Sequence, residues 1–280
     1  MSPAELMERS RGVILAQWGE LLRLRKAVLK TSDPDAIHDL RVASRRLRAA
    51  VALFEPWMPP KSAALLKKRT RKLTRVLGGL RNIDEAILFF RAHTPDSGGG
   101  YRICRRLAES RPGELARIKK ALSDFDGRRL GRKVRKAAAW MEEGGNAANK
   151  SPSLPAYFSD TCIRLFQPIH DLLPGATFPE ERRSRHALRI AIKKWRYFFE
   201  IVAPVMGCEV SSTVGLLKEY QMILGRMNDV VEFGGLCGEL KLTRHERGFA
   251  EAILRAEDQL LLHCLAELIE QNPLVYTFPF

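Results

Sequence analysis

One charged segment occurs twice in this chain of 280 residues. The first copy, HDLRVASRRLR, begins at His38, and the second, HALRIAIKKWR, begins 148 residues later at His186. A repeat with such a long period, placed once in each half of the chain, indicates a duplicated structural unit. Each half is therefore expected to fold on the same plan, related to the other by a pseudo-two-fold axis.

Helical signals dominate both halves. Apolar residues recur three and four positions apart, Pro and Gly interrupt these patterns, and alternating strand patterns are scarce. Ser32 or Asp33 can cap a helix that opens at Pro34. Capping boxes are predicted at two further helix starts: Thr177 with Glu180, and Thr243 with Glu246. The sequence therefore predicts an all-α protein of long helices with short connections.

Proline and glycine predict where individual helices end. Pro112–Gly113 and Gly127 are expected to break the later part of the first half into shorter helices. In the second half, Pro204 and Gly207 are expected to end the helix that carries the second charged copy. Proline removes a helical hydrogen bond and glycine favours left-handed backbone, so both are typical of helix boundaries.

The stretch 142–155, EEGGNAANKSPSLP, is polar and rich in Gly, Asn, Ser and Pro. Such a composition is typical of a linker between folded units. It lies between the two charged copies and divides the chain into a first helical-bundle repeat, 1–150, and a second, 151–280. A shorter loop, TPDSGGG, is expected at 94–100.

The charge balance predicts the kind of partner. Lysine and arginine number 47 against 32 aspartates and glutamates, which gives a formal net charge of +15. Such an excess favours a polyanion: nucleic acid, an anionic membrane surface or a phosphate polymer. Charge alone does not choose among these three partners.

Neither a membrane-spanning nor a secreted protein is indicated. No apolar run approaches the roughly 20 residues needed to cross a bilayer, and the first residues lack the basic-then-apolar pattern of a secretory signal. The five cysteines are scattered without a CxxC pair, which is typical of reduced thiols. We therefore expect a cytoplasmic protein with no disulfide framework, no metal site and no cofactor.

On a helical wheel, each charged copy has one basic face and one apolar face. The basic arc of the first copy, roughly 80° wide, holds His38, Arg41, Arg45 and Arg48, with Arg46 at its flank. The same arc of the second copy holds His186, Arg189, Lys193 and Arg196, with Lys194 at its flank. Apolar residues such as Leu47 and Trp195 take the opposite side, which is expected to face a bundle core.

A solvated surface helix would be the simplest explanation of any single charge-rich segment. Solvated helices, however, ordinarily mix acids with bases, because opposite charges four residues apart stabilise a helix and like charges destabilise it. Asp39 is the one acid in the first copy, and the second copy has none. Because a face with almost exclusively positive charge occurs twice, we interpret it as a ligand-binding surface.

Two such faces across a two-fold axis would form a basic groove or channel. Its side chains would be spaced by one helical turn, roughly 5 Å, which is comparable to the spacing of phosphates in an extended chain. Arginine can donate two hydrogen bonds to one phosphate, lysine supplies a point charge, and histidine donates through its ring nitrogens. The pattern therefore suits a ligand that carries phosphate groups.

The HxxRVxxRRLR segment, its second copy, and the segments LGGLRNID (77–84) and LGRMNDVV (224–231) together resemble the CHAD domain, the conserved histidine α-helical domain. The resemblance runs over nearly the whole chain. It implies two bundles of about four long helices each, with a basic central pore. It also implies non-catalytic binding of long-chain inorganic polyphosphate and association with polyphosphate granules.

The same resemblance implies two rows of polyphosphate-binding residues: His38, Arg41, Arg45, Arg46 and Arg48 on one side, and His186, Arg189, Lys193, Lys194 and Arg196 on the other. The second row departs from the first, because Ala187 stands where the first copy has Asp39, and lysines stand in place of two arginines. Fewer bidentate contacts are expected on that side, without loss of the electrostatic attraction.

The helix after Pro60 supplies secondary candidates. Lys68, Lys72 and Arg75 share one helical face, and Lys218 is the counterpart of Arg71 in the second half. These residues either line the pore or only widen its positive field. Arg81 is a further candidate, and its polar neighbours either support the binding arginines or bond locally at helix ends: Asn82, Asp84, Asn228 and Asp229.

Two other functions remain open. A nucleic-acid-binding helical protein would share the positive charge, but single-strand binders stack bases on aromatic residues, and only Tyr197 lies near the basic face. A metal-dependent phosphate-processing enzyme would need clustered carboxylates or an oriented histidine nucleophile, and the acids here are dispersed. We therefore favour a non-enzymatic protein whose partner is inorganic polyphosphate rather than nucleic acid or a membrane.

Overall fold

The computed structural model describes residues 1–94, 98–142 and 153–278, and over these residues its regular structure is helical, with no strand. The α-helices are α1 (Pro3–Thr31), α2 (Pro34–Leu53), α3 (Pro60–Ala92), α4 (Gly99–Ser123), α5 (Gly127–Glu142), α6 (Leu154–Leu172), α7 (Arg182–Met206), α8 (Ser211–Glu239) and α9 (Arg244–Gln271). Short 3₁₀ turns at Glu55–Trp57 and Pro174–Thr177 precede α3 and α7. The predicted all-α fold is confirmed.

Short polar residues start several helices as expected. Asp33, rather than Ser32, is the N-cap of α2: it accepts a hydrogen bond from a first-turn amide, and Pro34 follows it. At α9, Thr243 and Glu246 form the reciprocal capping box that the sequence predicts. Both arrangements satisfy amide groups that have no partner within the first turn of a helix.

Three predicted helix boundaries are wrong. Pro112–Gly113 lies inside α4, and Pro204 lies inside the last turn of α7. Both prolines are exposed, so water can hydrogen-bond the carbonyl groups that they leave without a helical partner. The Thr177–Glu180 capping box does not form, because Thr177 belongs to a 3₁₀ turn and α7 starts without a side-chain cap.

Two of the glycines predicted to mark helix boundaries do lie at helix ends. Gly127 opens α5, and Gly207 follows the last residue of α7 with a φ of 72°, in the left-handed region. Its amide donates to the Ala203 carbonyl and so closes the last turn. Of the predicted loop 94–100, residues 95–97 lie outside the described residues, and Gly99 and Gly100 belong to α4. Of the predicted linker 142–155, residues 143–152 lie outside them, as does the predicted boundary at 150, and residues 154–155 belong to α6.

Helices that follow one another in the chain pack together in both halves. In the first half, α1 packs on α2, α2 on α3, and α3 on α4; in the second, α6 packs on α7, α7 on α8, and α8 on α9. The halves meet where α2 contacts α7, α3 contacts α8, and α4 contacts α9, while α5 packs on α1 and α3. The two helices that carry the charged copies are therefore direct neighbours.

The apolar faces of α2 and α7 fix the orientation of these two helices. Leu40 and Leu47 of α2, and Leu188 and Trp195 of α7, are buried in one continuous core. Burying one such side chain stabilises a fold by about 1.5–3 kcal/mol. Because the basic residues lie on the opposite faces, this packing determines where the cations are placed.

Gly207→Ala is expected to lower the free energy of unfolding by about 1 kcal/mol, because alanine disfavours the left-handed backbone after α7. Gly19→Ala, in the exposed interior of α1, is expected to raise it by roughly 0.5–1 kcal/mol, because a Cβ there meets nothing within 4 Å. Urea unfolding followed by circular dichroism measures both. Equal effects would contradict the backbone conformation assigned to Gly207.

Candidate functional site

The basic faces of α2 and α7 meet around one buried aromatic ring. Tyr197 of α7 is 6% exposed, and guanidinium groups from both helices lie over its ring. The ring centroid is 5.7 Å from Cζ of Arg45 in α2 and 4.9 Å from Cζ of Arg196 in α7. Both distances allow cation–π attraction, so Tyr197 holds cations of the two helices side by side.

Cations from three helices gather at this junction, and we name them the central basic cluster. Its members are Arg41, Arg45 and Arg48 of α2, Arg81 of α3, and Arg189, Lys193 and Arg196 of α7. All are partly buried, although arginine and lysine are mostly exposed in proteins. The fold therefore brings together the central residues of both rows predicted from the sequence.

Lys193 lies where the charges of both helices act together. Burial, and then the charges of Arg45, Arg189, Arg41 and Arg196, lower the pKa of Lys193 to about 6. At neutral pH its amine is therefore largely uncharged. A bound anion would favour the protonated form and return the pKa of Lys193 toward its ordinary value.

Burial also lowers the pKa of the neighbouring arginines. It lowers the pKa of Arg41 to about 10, aided by the charge of Arg45, while Asp229 acts in the opposite direction. Burial is the largest cause of the lowered pKa values of Arg48 and Arg189 as well. These groups keep their charge at neutral pH, so the cluster carries a repulsion that an anionic ligand would relieve.

Asp229 of α8 supplies a carboxylate to the cluster. Its Oδ1 accepts a hydrogen bond from Nη1 of Arg81 at 3.1 Å, and the two side chains are 14% and 20% exposed. Burial lowers the pKa of Arg81, but the hydrogen bond and charge of Asp229 outweigh burial and raise it overall. The pair joins α3 to α8 across the two halves, and a bond of 3.1 Å from Asn82 to Glu232 makes a second link.

Several guanidinium nitrogens of the cluster have no hydrogen-bond partner within the described part of the chain. The Nε atoms of Arg41, Arg81, Arg189 and Arg196 are buried and have no hydrogen-bond partner among the described residues. Buried donors are nearly always satisfied in native proteins, so each such group needs an explanation. Four N–H donors between positively charged side chains are suited to an anionic ligand with several oxygen atoms.

Other predicted site residues lie at the exposed edge of this region. His38 is exposed in α2, and Lys194 is exposed in α7. His186 is also exposed, and its Nδ1 is 2.8 Å from Oδ1 of Asn228 in α8. Because an amide oxygen only accepts, Nδ1 donates in this bond, which leaves Nε2 for an external partner.

Arg46 and Lys218 lie in a cleft between α1, α2, α7 and α8, next to the central basic cluster. The cleft has a volume of about 490 Å³ and is also lined by Tyr197 and Glu200. Glu200 accepts a hydrogen bond from Arg196 at 2.6 Å, and its Oε2 is 3.7 Å from Nε of Arg46. The sequence reasoning missed Glu200, although four residues is a recognisable ion-pair spacing on a helix.

The basic residues of α3 are divided between two sides of that helix. Arg71 adds to burial in lowering the pKa of Arg48, so it lies near the central basic cluster. Lys72 and Arg75 instead line clefts formed with α4, and Lys68 is exposed. The structure therefore does not bring Lys72 and Arg75 to the cluster.

The polar residues that follow Arg81 and their counterparts on α8 bond between helices. Asp84 pairs with Arg111 of α4 at 2.5 Å. Asn82 bonds to α8, Asn228 to α7, and Asp229 to α3. None of these four bonds is local to a helix end, but only Asp229 supports a candidate binding arginine, Arg81, and only Asn228 contacts a candidate histidine, His186.

Possible metal ligands, membrane-spanning helices and cysteines complete the description of the structure. Within 1–94, 98–142 and 153–278, no three His, Cys, Asp or Glu side chains are grouped as metal ligands. Over the same residues, no helix combines the length and apolar character needed to cross a bilayer. The five cysteines are free thiols, of which Cys104, Cys162 and Cys237 are buried.

The family model described as the CHAD domain matches residues 12–237. The structure is similar to the crystal structure of the CHAD domain from the plant Ricinus communis, with a TM-score of 0.70, 22% identity, and coverage of 98% of this chain and 94% of that one. It is also similar to PptA from Streptomyces chartreusis, with a TM-score of 0.66, 14% identity, and coverage of 95% and 98%. No curated protein matches the sequence.

Asp229→Asn is expected to lower the free energy of unfolding by about 2 kcal/mol, because it leaves Arg81 without its counterion beside other buried arginines. Asp160→Asn, at an exposed position of α6, is the matched control and should change it by less than about 0.5 kcal/mol. Urea unfolding compares the two variants.

A second substitution tests whether the loss comes from this ion pair. Arg81→Gln in the Asp229→Asn background should cost less than it does alone, because the uncompensated charge is then removed. Strictly additive effects of the two substitutions would show that Arg81 and Asp229 are not energetically coupled.

Proposed function

Because this chain belongs to the CHAD domain family, we propose that it binds long-chain inorganic polyphosphate without processing it. The central basic cluster is the observation that carries the proposal. It gathers cations from both copies of the repeated segment and leaves several buried N–H donors without a partner among the described residues. Phosphate oxygens are among the acceptors that the planar arginine fork fits best.

In the proposed complex, the polymer occupies a basic pore or groove between two bundles related by a pseudo-two-fold axis. The first repeat, 1–150, would supply one wall, and the second, 151–280, the other. The packing order that recurs in both halves, and the contact of α2 with α7, support this arrangement.

The two predicted rows would divide the contacts. Arg41, Arg45 and Arg48 would bind from α2, with His38 and Arg46 extending that row at its edges. Arg189, Lys193 and Arg196 would bind from α7, with His186 and Lys194 at its edges. Of the secondary candidates, Arg81 belongs to the cluster itself, and Lys218 adjoins it in the cleft that also contains Arg46.

The acids near the cluster form ion pairs with its arginines, which supports binding rather than catalysis. Asp229 is engaged by Arg81, and Glu200 by Arg196. Each carboxylate therefore orients an arginine, a role different from that of a free base. The proposal includes no metal, cofactor or covalent step, and places the protein in the cytoplasm in association with polyphosphate granules.

Nucleic acid offers the same phosphate chemistry but fits the site less well. Proteins that bind single strands stack bases on exposed aromatic rings. Tyr197 is buried, with the guanidinium groups of Arg45 and Arg196 over its ring. The aromatic residue at this site is therefore occupied by protein cations, and we favour a ligand without bases.

The double charge reversal Arg41→Glu with Arg189→Glu is expected to weaken the binding of long polyphosphate by at least about 100-fold, because two phosphate contacts become repulsive. Titration calorimetry at fixed salt measures the Kd, and circular dichroism verifies that the variant is folded.

The matched control reverses two exposed charges elsewhere, Lys241→Glu with Arg255→Glu, so that the net charge changes equally. It should weaken binding only slightly, through the long-range field. If both double variants bound polyphosphate with the same Kd, the central basic cluster would not be the binding site.

Lowering the pH from 8 toward 6 is expected to tighten polyphosphate binding, by up to roughly tenfold per pH unit. The pKa of Lys193 is about 6 in the free protein, and a bound polyanion raises it. Binding therefore takes up a proton between the two pKa values, and this gain levels off below pH 6. Calorimetry in buffers with different ionisation enthalpies counts the protons.

Lys193→Arg is expected to flatten this pH dependence, because a guanidinium group stays protonated over the whole range. Lys194→Arg makes the same change at the adjacent exposed position and should keep the wild-type slope. An unchanged slope in the Lys193→Arg variant would show that another group takes up the proton.

A further inference from the structure

Helix α5 carries a charge pattern that the central basic cluster does not use. Its cations are Arg128, Arg129, Arg132, Lys133, Arg135 and Lys136. They span an arc of roughly 160° on a helical wheel, while Leu130, Val134 and Met141 are buried on the other side. No acid occurs from Gly127 to Met141.

The cations on this face of α5 also lack ion pairs with acids in the described part of the chain. Lys133 is partly exposed, and the other five cations are exposed. None of the six forms an ion pair with another residue that the structure describes, whereas Arg9 and Arg23 of α1 pair with acids of their own helix. Like charges at this spacing destabilise a helix, so a polyanionic ligand on this face would relieve a repulsion built into the fold.

Two neighbouring clefts extend the cationic face of α5 toward α3 and α4. The first, about 100 Å³, is lined by the cations Arg69, Lys72 and Arg129 and by the acids Asp124 and Asp126. The second, about 420 Å³, shares Lys72 and Asp124 with the first and adds Arg75, Arg117, Lys120 and Glu114. Arg117 is paired with Glu114, and the other cations of the clefts have no ion pair among the described residues.

Arg129 joins the clefts to the exposed face of α5. It lines the first cleft, and Lys133 and Lys136 follow it at spacings of four and three residues, on the same side of the helix. One helical turn advances about 5.4 Å. A row of cations therefore leads out of the clefts and along α5 at intervals comparable to those between phosphates in an extended chain.

The shape and composition of this surface favour a thin phosphate polymer over other polyanions. The clefts, of about 100 and 420 Å³, have room for a single phosphate chain rather than for a double helix. Among the described side chains of α5, the exposed ones are basic residues and Ala139, so none is a large apolar side chain for insertion into a membrane. Trp140 is partly exposed on the cationic side, so α5 offers one aromatic ring rather than the series of rings on which single strands stack successive bases.

We propose that α3, α4 and α5 form an outer polyphosphate-binding surface, separate from the central basic cluster. This inference rests on the proposed function, since it assigns the same ligand class to a second site. Lys72 and Arg75, which the cluster leaves out, belong to the outer surface. A protein with two such sites holds two segments of one long chain, or joins two chains, and so gains avidity for long polymers.

The number of short polyphosphate chains bound per protein tests this inference. We expect wild type to bind two chains in a calorimetric titration. The triple variant Lys72→Gln, Arg129→Gln and Lys133→Gln, which retains the central site, should bind one. The double variant Arg41→Glu with Arg189→Glu, which retains the outer surface, should also bind one.

A triple variant at exposed positions of the second half, Lys241→Gln, Arg247→Gln and Arg255→Gln, loses the same charge and should still bind two chains. With long polyphosphate, light scattering should detect cross-linked assemblies for wild type and for this control, but not for the outer-surface variant. The exposed positions of these substitutions favour normal folding, which urea unfolding verifies.

The two proposals fail in different ways. One chain per wild-type protein, unchanged in the outer-surface variant, would overturn the outer site and leave the central site standing. Loss of all binding in the outer-surface variant, with normal binding by Arg41→Glu with Arg189→Glu, would refute the central site instead. Duplex DNA that displaces polyphosphate from the outer surface at equal phosphate concentration would overturn the ligand class.

Discussion

The burial of like charges where α2 meets α7 is the constraint on which the rest of the site depends. Apolar side chains such as Leu47 and Trp195 hold the two helices in contact, and this contact places arginines of both helices beside Lys193. An arginine cannot readily lose its proton, so Lys193 responds instead, with a pKa of about 6. Asp229 compensates part of the charge through Arg81. The core therefore stabilises an arrangement that electrostatics opposes.

In the proposed function, this opposition is the source of the affinity of the cluster for anions. The cations are brought together when the protein folds, so a ligand does not have to order flexible surface side chains one by one. Partial burial also weakens the screening by water, which strengthens each charge–charge interaction with a bound phosphate. Tyr197 contributes by fixing Arg45 and Arg196 in place. A solvated lysine patch of equal charge would attract the same polymer but would lose more side-chain entropy on binding.

The sequence predicts the directions of side chains better than their partners. Helical periodicity places the basic and apolar faces of α2 and α7 correctly, because both depend only on the rotation of about 100° per residue. It does not reveal that Arg81 pairs with Asp229, since these residues are 148 positions apart and meet only when α3 packs on α8. The predicted helix end at Pro112 is wrong because the position is exposed to solvent. An exposed proline is tolerated inside a helix, and exposure cannot be read from the sequence at that position.

Helix α3 shows how one basic segment serves two surfaces. Lys72 follows Arg71 by one residue, which turns its side chain by about 100° around the helix axis. That single step separates a residue whose charge acts on Arg48 from one that lines the clefts with α4. A count of basic residues merges the two sets, whereas the packing of α2 on one side and α4 on the other divides them. The excess positive charge of the chain is therefore divided between two places. In the partly buried central basic cluster, burial and repulsion shift pKa values. On the solvated surface of α3, α4 and α5, the charge adds to the long-range attraction of anions.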